Sequence, residues 1–181
     1  NIFYGNNLIN LLKKSIQENS GATIFAYEVK DTKSYGVVEF NKKLKPIKLI
    51  EKPFKSKSKF SITGLYIYDK NASSFVNKIN KSKRGEYEIT DLNKIYLNKK
   101  KLKATIMGRG YAWFDVGTNE SLLGASQFIY SIEKRHNFKI ACPEEISFRQ
   151  GYINQTQLSK LAKLYKKTDY GKYLLSLIKK Y

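Results

Sequence analysis

The run Ala22-Thr23-Ile24-Phe25-Ala26-Tyr27-Glu28-Val29 constrains the fold more than any other stretch. Side chains of a strand alternate between the two faces of its sheet, and here apolar groups fall at odd and even positions alike. That is the pattern of a strand covered on both faces. Lys103-Ala104-Thr105-Ile106-Met107 repeats it. Around these two strands the period changes to that of helices. Gly5 to Glu18 reads as a helix, with Leu8, Leu11, Leu12 and Ile16 at helical spacing and Asn19-Ser20-Gly21 as its stop.

Tyr35 to Phe40 and Ile47 to Glu51 read as strands joined around Asn41-Lys42, the second ended by Lys52-Pro53. Ser61 to Tyr68 is a further strand with Gly64 inside it, where a ligand or another backbone comes close. Ala72 to Ile79 predicts a helix, and Thr90 or Asp91 is placed to cap another that runs through Lys99. From Thr118 onward the pattern is helical: Thr118 to Arg135, Glu144 to Gln150, Gln155 to Leu164 and Tyr170 to Tyr181. Pro143 suits the start of the second of these. The division is therefore 1–118, strands mixed with helices, and 119–181, a helical tail.

Between the two parts runs Gly108-Arg109-Gly110-Tyr111-Ala112-Trp113-Phe114-Asp115-Val116-Gly117-Thr118. It sets Asp115 at a strand-to-helix crossing, beside the single tryptophan and a glycine turn. In open α/β sheets such crossings, beyond the carboxyl ends of the strands, are where ligands bind.

A net charge of +19 invites a nucleic-acid reading, but only four of the 34 basic residues are arginine, the side chain that clamps phosphate and reads bases. The lysines are spread along the whole chain, so no specific nucleic-acid partner is expected. No apolar run approaches the ~18 residues of a membrane span, and residues 1–14 have neither the basic start nor the cleavage site of a signal peptide. One cysteine, Cys142, rules out an internal disulfide framework and suits the cytoplasm. One histidine and one cysteine do not make a metal site: His136 reads as a surface residue and Cys142 as a small buried apolar one.

Four short segments concentrate polar chemistry at strand ends and loops: Tyr35-Gly36, Glu51-Lys52-Pro53, Thr63-Gly64-Leu65-Tyr66, and Arg84-Gly85-Glu86 through Asp91. With Asp115 they supply carboxylates, cations and bare glycine backbone, a mix that fits a hydroxylated, phosphorylated small molecule. Taken in order with Asn1 to Gly5, Gly21-Ala22-Thr23, Gly108 to Gly117 and Cys142-Pro143-Glu144-Glu145-Ile146, they closely resemble the glucose-1-phosphate thymidylyltransferases. The resemblance runs from Asn1 to about Tyr173 in matching spacing.

That resemblance implies an α/β fold, the C-terminal portion of a Rossmann-like nucleotidyltransferase with a mixed sheet and a helical tail. It implies transfer of a thymidylyl group from dTTP to glucose 1-phosphate, giving dTDP-glucose and pyrophosphate at the start of dTDP-rhamnose synthesis, with Mg²⁺. Asp115 matches one of two metal-binding aspartates; the other would precede Asn1. Lys52 and Arg84 match phosphate grips and, with Asp115, the catalytic set. Gly36, Glu51, Ile62, Thr63, Gly64 and Tyr66 match contacts to the sugar. Gly5, Arg109, Lys139, Glu145, Ile146 and Arg149 match the surroundings of a regulatory site at which dTDP-rhamnose inhibits, with Asn6 where the family has histidine. A homotetramer is implied for the complete protein. The family's glycine-rich dTTP loop has no counterpart here, so this chain alone is expected to be inactive, or to serve as a non-catalytic sugar-phosphate or nucleotide-sugar binding module.

Overall fold

The computed structural model describes residues 1–178, and the chain forms two compact units, Asn1–Ser121 and the residues from Leu122 onward. The first unit contains β1 (Ile2–Gly5), α1 (Leu8–Gln17), β2 (Ala22–Glu28), β3 (Gly36–Phe40), β4 (Pro46–Glu51), β5 (Phe60–Tyr68), α2 (Ala72–Val76), α3 (Ile89–Asn98), β6 (Leu102–Met107) and β7 (Tyr111–Phe114). It closes on the first residues of α4 (Asn119–Arg135), and the second unit adds α5 (Pro143–Arg149), α6 (Gln155–Leu164) and α7 (Asp169–Ile178).

Five strands form a mixed sheet in the order β4-β3-β5-β2-β6, in which β2 and β6 run parallel and the other pairs antiparallel. β2 is buried on both faces, as its sequence requires. Ala22, Ile24 and Ala26 pack with Val38, Leu49 and Ile62 of the neighbouring strands and with Leu92 and Tyr96 of α3. Phe25, on the opposite face, is fully buried too. Thr23 satisfies its hydroxyl there by donating to Asn19 Oδ1 at 3.0 Å. α1 meets the sheet through Ser15, whose hydroxyl lies 3.4 Å from that of Thr105 on β6. β5 pairs along its length with β2, but with β3 only where Ser61 faces Val37. Among the described residues its other edge beyond Ile62 carries no strand.

Three local expectations are corrected. Gly5, expected to open the first helix, instead ends a strand, Ile2–Gly5, that pairs antiparallel with Tyr111 to Phe114, so that Phe3 faces Trp113 and Gly5 faces Tyr111, and the helix starts at Leu8. The glycine stretch is therefore the turn between β6 and β7, and Asp115 follows a second strand instead of the first. Neither Thr90 nor Asp91 caps α3: Glu88 occupies that position, and Thr90 is a buried residue one position inside the helix whose hydroxyl is bound to Glu51. α2 stops at Val76 because the next amides, Lys78 and Ile79, bond three residues back in tighter turns.

In the second unit, Cys142, Leu158, Ala162, Tyr173, Leu174 and Leu177 form a separate core. α6 begins on a reciprocal cap in which Asn154 Oδ1 accepts from the Gln157 amide and Gln157 Oε1 from the Asn154 amide. Pro143 opens α5 as expected. The helix expected to Tyr181 is described from Asp169 to Ile178, and residues 179–181 lie outside the described part.

Candidate active site

The β3–β4 hairpin brings Gly36 opposite Glu51. A Cβ on Gly36 would stand 3.0 Å from Thr90 Oγ1 and 3.2 Å from Glu51 Oε2, so glycine leaves the space that these two groups need. Thr90 donates its hydroxyl to Glu51 Oε2 and holds that carboxylate from the side of α3. Lys52, the next residue, has a left-handed backbone with φ of 41°. A lysine in front of proline adopts that conformation at a cost of about 1–3 kcal/mol, and such strain clusters at sites where a side chain must be aimed. The amide of Lys52 secures it by donating to Tyr35 O at 3.0 Å.

β5 supplies the floor. Ile62 and Thr63 are buried, and the Thr63 hydroxyl donates to Phe25 O at 3.1 Å. Gly64 has a φ of 78°, and a Cβ there would come within 2.7 Å of Asn1 Nδ2, so both its conformation and its neighbour require glycine. Tyr66 stacks on Tyr68 with ring centroids 5.8 Å apart. From the other side β7 contributes Trp113, whose indole N–H donates to Asn1 Oδ1 at 2.9 Å and whose ring lies 5.0 Å from that of Tyr35.

Asp115 follows directly. It lines one cavity of about 200 Å³ together with Gly36, Glu51, Lys52, Ile62, Thr63, Gly64 and Tyr66. Asn1, Ser34, Tyr35, Ile89, Thr90 and Trp113 complete the wall. The field inside is negative enough to be felt by the phenols. Burial first, and then the charge of Glu51, pushes Tyr66 up to about 12, while burial and then Asp115 raise Tyr35. Both phenols are thus neutral hydrogen-bonding groups at physiological pH. The cavity offers two carboxylate acceptors, one ammonium, neutral hydroxyls and an aromatic wall, which is the equipment for holding a polyhydroxylated molecule that carries an anionic group.

Arg84 stands outside this lining. It pairs with Glu86 and, at 3.7 Å, with Glu88, and it lies within electrostatic reach of Glu51. The six residues matched to a regulatory site divide between the units. Gly5 is packed against the Tyr111 ring, and Arg109 lines a separate cavity of about 220 Å³ with Tyr27 and Phe60. In the second unit Arg149 Nε bonds Glu145 Oε1 at 2.7 Å, Lys139 pairs with Glu133 at 2.6 Å, and Ile146 is exposed. A larger cavity of about 570 Å³ is lined by Lys45, Lys100, Lys101, Lys103 and Glu18 between β4 and β6, away from these groups.

The family model for nucleotidyl transferases matches residues 1–132. The chain belongs to the nucleotidyl transferase family. Curated relatives named glucose-1-phosphate thymidylyltransferase align with 99% of it: 45% identical in Neisseria meningitidis, 47% in Xanthomonas campestris and 43% in Mycobacterium tuberculosis. The chain spans 61–62% of the length of these nucleotidyl transferases. Its fold is similar to that of a Bacillus anthracis protein assigned as a glucose-1-phosphate thymidylyltransferase and solved in complex with a sucrose, with a TM-score of 0.59 and 33% identity over 70% of this chain and 50% of that one. A UDP-glucose pyrophosphorylase solved with UDP-glucose shares the fold alone, at a TM-score of 0.61 and 20% identity over 68% of this chain and 49% of the other.

In this member of the family, Thr90, Trp113 and Asn1 join the cavity by routes that the sequence does not display. Thr90 has the signature of a helix cap, and its use by Glu51 depends on α3 packing against β4. Trp113 reaches the wall only because β7 pairs with β1. Members of the family use a divalent metal. Among the described residues no group of three or more His, Cys, Asp or Glu side chains converges, and the donor facing the cavity beyond Glu51 is Asp115. A single carboxylate fits a hard divalent cation whose remaining ligands are phosphate oxygens and water.

Proposed function

We propose that this chain is the sugar-phosphate-binding part of a glucose-1-phosphate thymidylyltransferase. The complete protein would join dTTP and glucose 1-phosphate to dTDP-glucose and pyrophosphate, in the cytoplasm, as a homotetramer subject to inhibition by dTDP-rhamnose. The single observation that carries the reading is the meeting of Glu51, Lys52 and Asp115 in one cavity walled by bare glycine backbone.

The sugar's oxygens need paired acceptors and donors, and its phosphate needs cations. Glu51, held by Thr90 over the bare backbone of Gly36, accepts hydroxyl hydrogens from the hexose. Tyr66 and Trp113 give it an apolar wall. Lys52 and Arg84 neutralise the phosphate, whose oxygen attacks the nucleotide's α-phosphorus in line while pyrophosphate leaves. Asp115 would hold Mg²⁺, which when bound offsets charge on the phosphates. Catalysis is then positioning and charge neutralisation, without a covalent intermediate on the protein.

Trp113, the single tryptophan, lines the cavity, so its fluorescence reports occupancy. Titration of the chain with glucose 1-phosphate should change that emission saturably, and Glu51→Gln should shift the curve to higher concentration. A flat titration, or one indifferent to Glu51, overturns the reading.

A further inference from the structure

Arg84 is already engaged by two carboxylates, and their circumstances differ. The loop from Lys81 to Glu88 folds back on itself: Lys81 bridges Tyr87, the Ser82 amide donates to Glu86 O at 2.8 Å, and the Gly85 amide donates to Ser82 O at 2.9 Å. Gly85 makes the reversal with a φ of 78°. Ser82 ties the turn together, since its hydroxyl accepts from the Arg84 amide at 3.2 Å and donates to Glu88 Oε1 at 2.8 Å.

Glu88 is therefore tethered, and its side chain is only 11% exposed while standing 3.7 Å from Arg84 Nε. Glu86 has a side chain that is 61% exposed, and it takes the terminal Nη2 of the same guanidinium. A carboxylate and a phosphate present the same pair of oxygens to a guanidinium fork. Glu86 thus sits on the donor that a phosphate needs, and Glu88 holds the guanidinium from the protein side.

We propose that Glu88 is a positioning residue for Arg84 and that Glu86 is a built-in competitor, displaced when a phosphate dianion arrives. The proposal rests on the reading of Arg84 as a phosphate grip. An exposed ion pair is worth little in water, so Glu86 yields to a doubly charged ligand but excludes neutral sugars and weak monoanions. Glu88, shielded and held by Ser82, stays in place as the exchange occurs. The loop then discriminates by charge before the hexose is tested against Glu51.

Calorimetric titration of the full chain with glucose 1-phosphate tests this with four proteins: unsubstituted, Glu86→Gln, Glu88→Gln and Arg84→Gln, plus the two double variants with Arg84→Gln. Removing the competitor should tighten binding by about two- to five-fold, the range expected for an exposed pair. Glu88→Gln should weaken it. Both effects should vanish in the Arg84→Gln background, which a merely structural role of either glutamate would not produce. If Arg84→Gln weakens binding while Glu86→Gln leaves it unchanged or weakens it, the competitor is refuted and the grip stands. If Arg84→Gln has no effect, or the unsubstituted chain binds nothing, the underlying reading of the site falls as well.

Discussion

At the scale of single residues, the site depends on close contacts around bare glycine backbone. Gly36→Ala places a carbon 3.0 Å from Thr90 Oγ1 and 3.2 Å from Glu51 Oε2, so the bonded Thr90–Glu51 pair must shift by a few tenths of an ångström to admit it. The expected result is at least about a ten-fold loss of affinity for glucose 1-phosphate, the scale of one hydrogen bond to a charged group, with a smaller change in melting temperature. Titration by tryptophan emission beside a thermal melt separates the two. Tyr66 makes a second prediction. Burial and the charge of Glu51 raise its phenol to about 12 in the folded chain against 10 when unfolded, so the stability it contributes is whole below pH 10. That contribution, about 3 kcal/mol, is lost as pH climbs from 10 through 12. Urea unfolding across this window should show a steep alkaline decline that Tyr66→Phe makes shallower; an unchanged slope would contradict it.

At the scale of elements, helix and sheet preferences are overruled where backbones meet. Gly171 lies in α7, and alanine there would gain about 1 kcal/mol of helix propensity. Its Cβ, however, would lie 2.1 Å from Tyr165 O, a backbone atom that cannot rotate aside. Gly171→Ala should therefore destabilise the second unit by about 1–3 kcal/mol, read from the shift of its chemical unfolding midpoint. A neutral or stabilising result would contradict this packing. The same contrast explains what the sequence makes legible. β2 and β6 announce themselves through apolar residues on both faces, and α6 and α7 through their period, because local pattern and tertiary burial agree there. The ribbon of β1 and β7 does not, since each strand is four residues long and gains its identity from a partner more than a hundred residues away. Gly36, Glu51, Lys52 and Asp115 could be named from their segments. Thr90 reads as a cap, and only the packing of α3 shows its hydroxyl turned to Glu51.

For the whole molecule, the two units have separate cores, and the β5 edge beyond Ile62 carries no partner strand among the described residues. An open ladder of this kind is a weak point and a template for association. Heating the isolated chain should give a broad transition, and amides of Gly64 to Tyr68 should exchange with solvent faster than those of β2; a single sharp calorimetric peak from a monomer would count against this. The chain spans 61–62% of the length of its thymidylyltransferase relatives, and pyrophosphate release from dTTP, glucose 1-phosphate and Mg²⁺ by these 181 residues is expected not to exceed background. The +19 charge, dispersed over lysines, should give only weak retention on DNA that falls steeply with salt. The most direct measurement of the central claim is a crystal structure of the chain grown with glucose 1-phosphate. The account predicts the hexose with its hydroxyls on Glu51 and its phosphate on the Lys52 side of the cavity that Asp115 lines; a sugar bound elsewhere, with that cavity left empty, would contradict it.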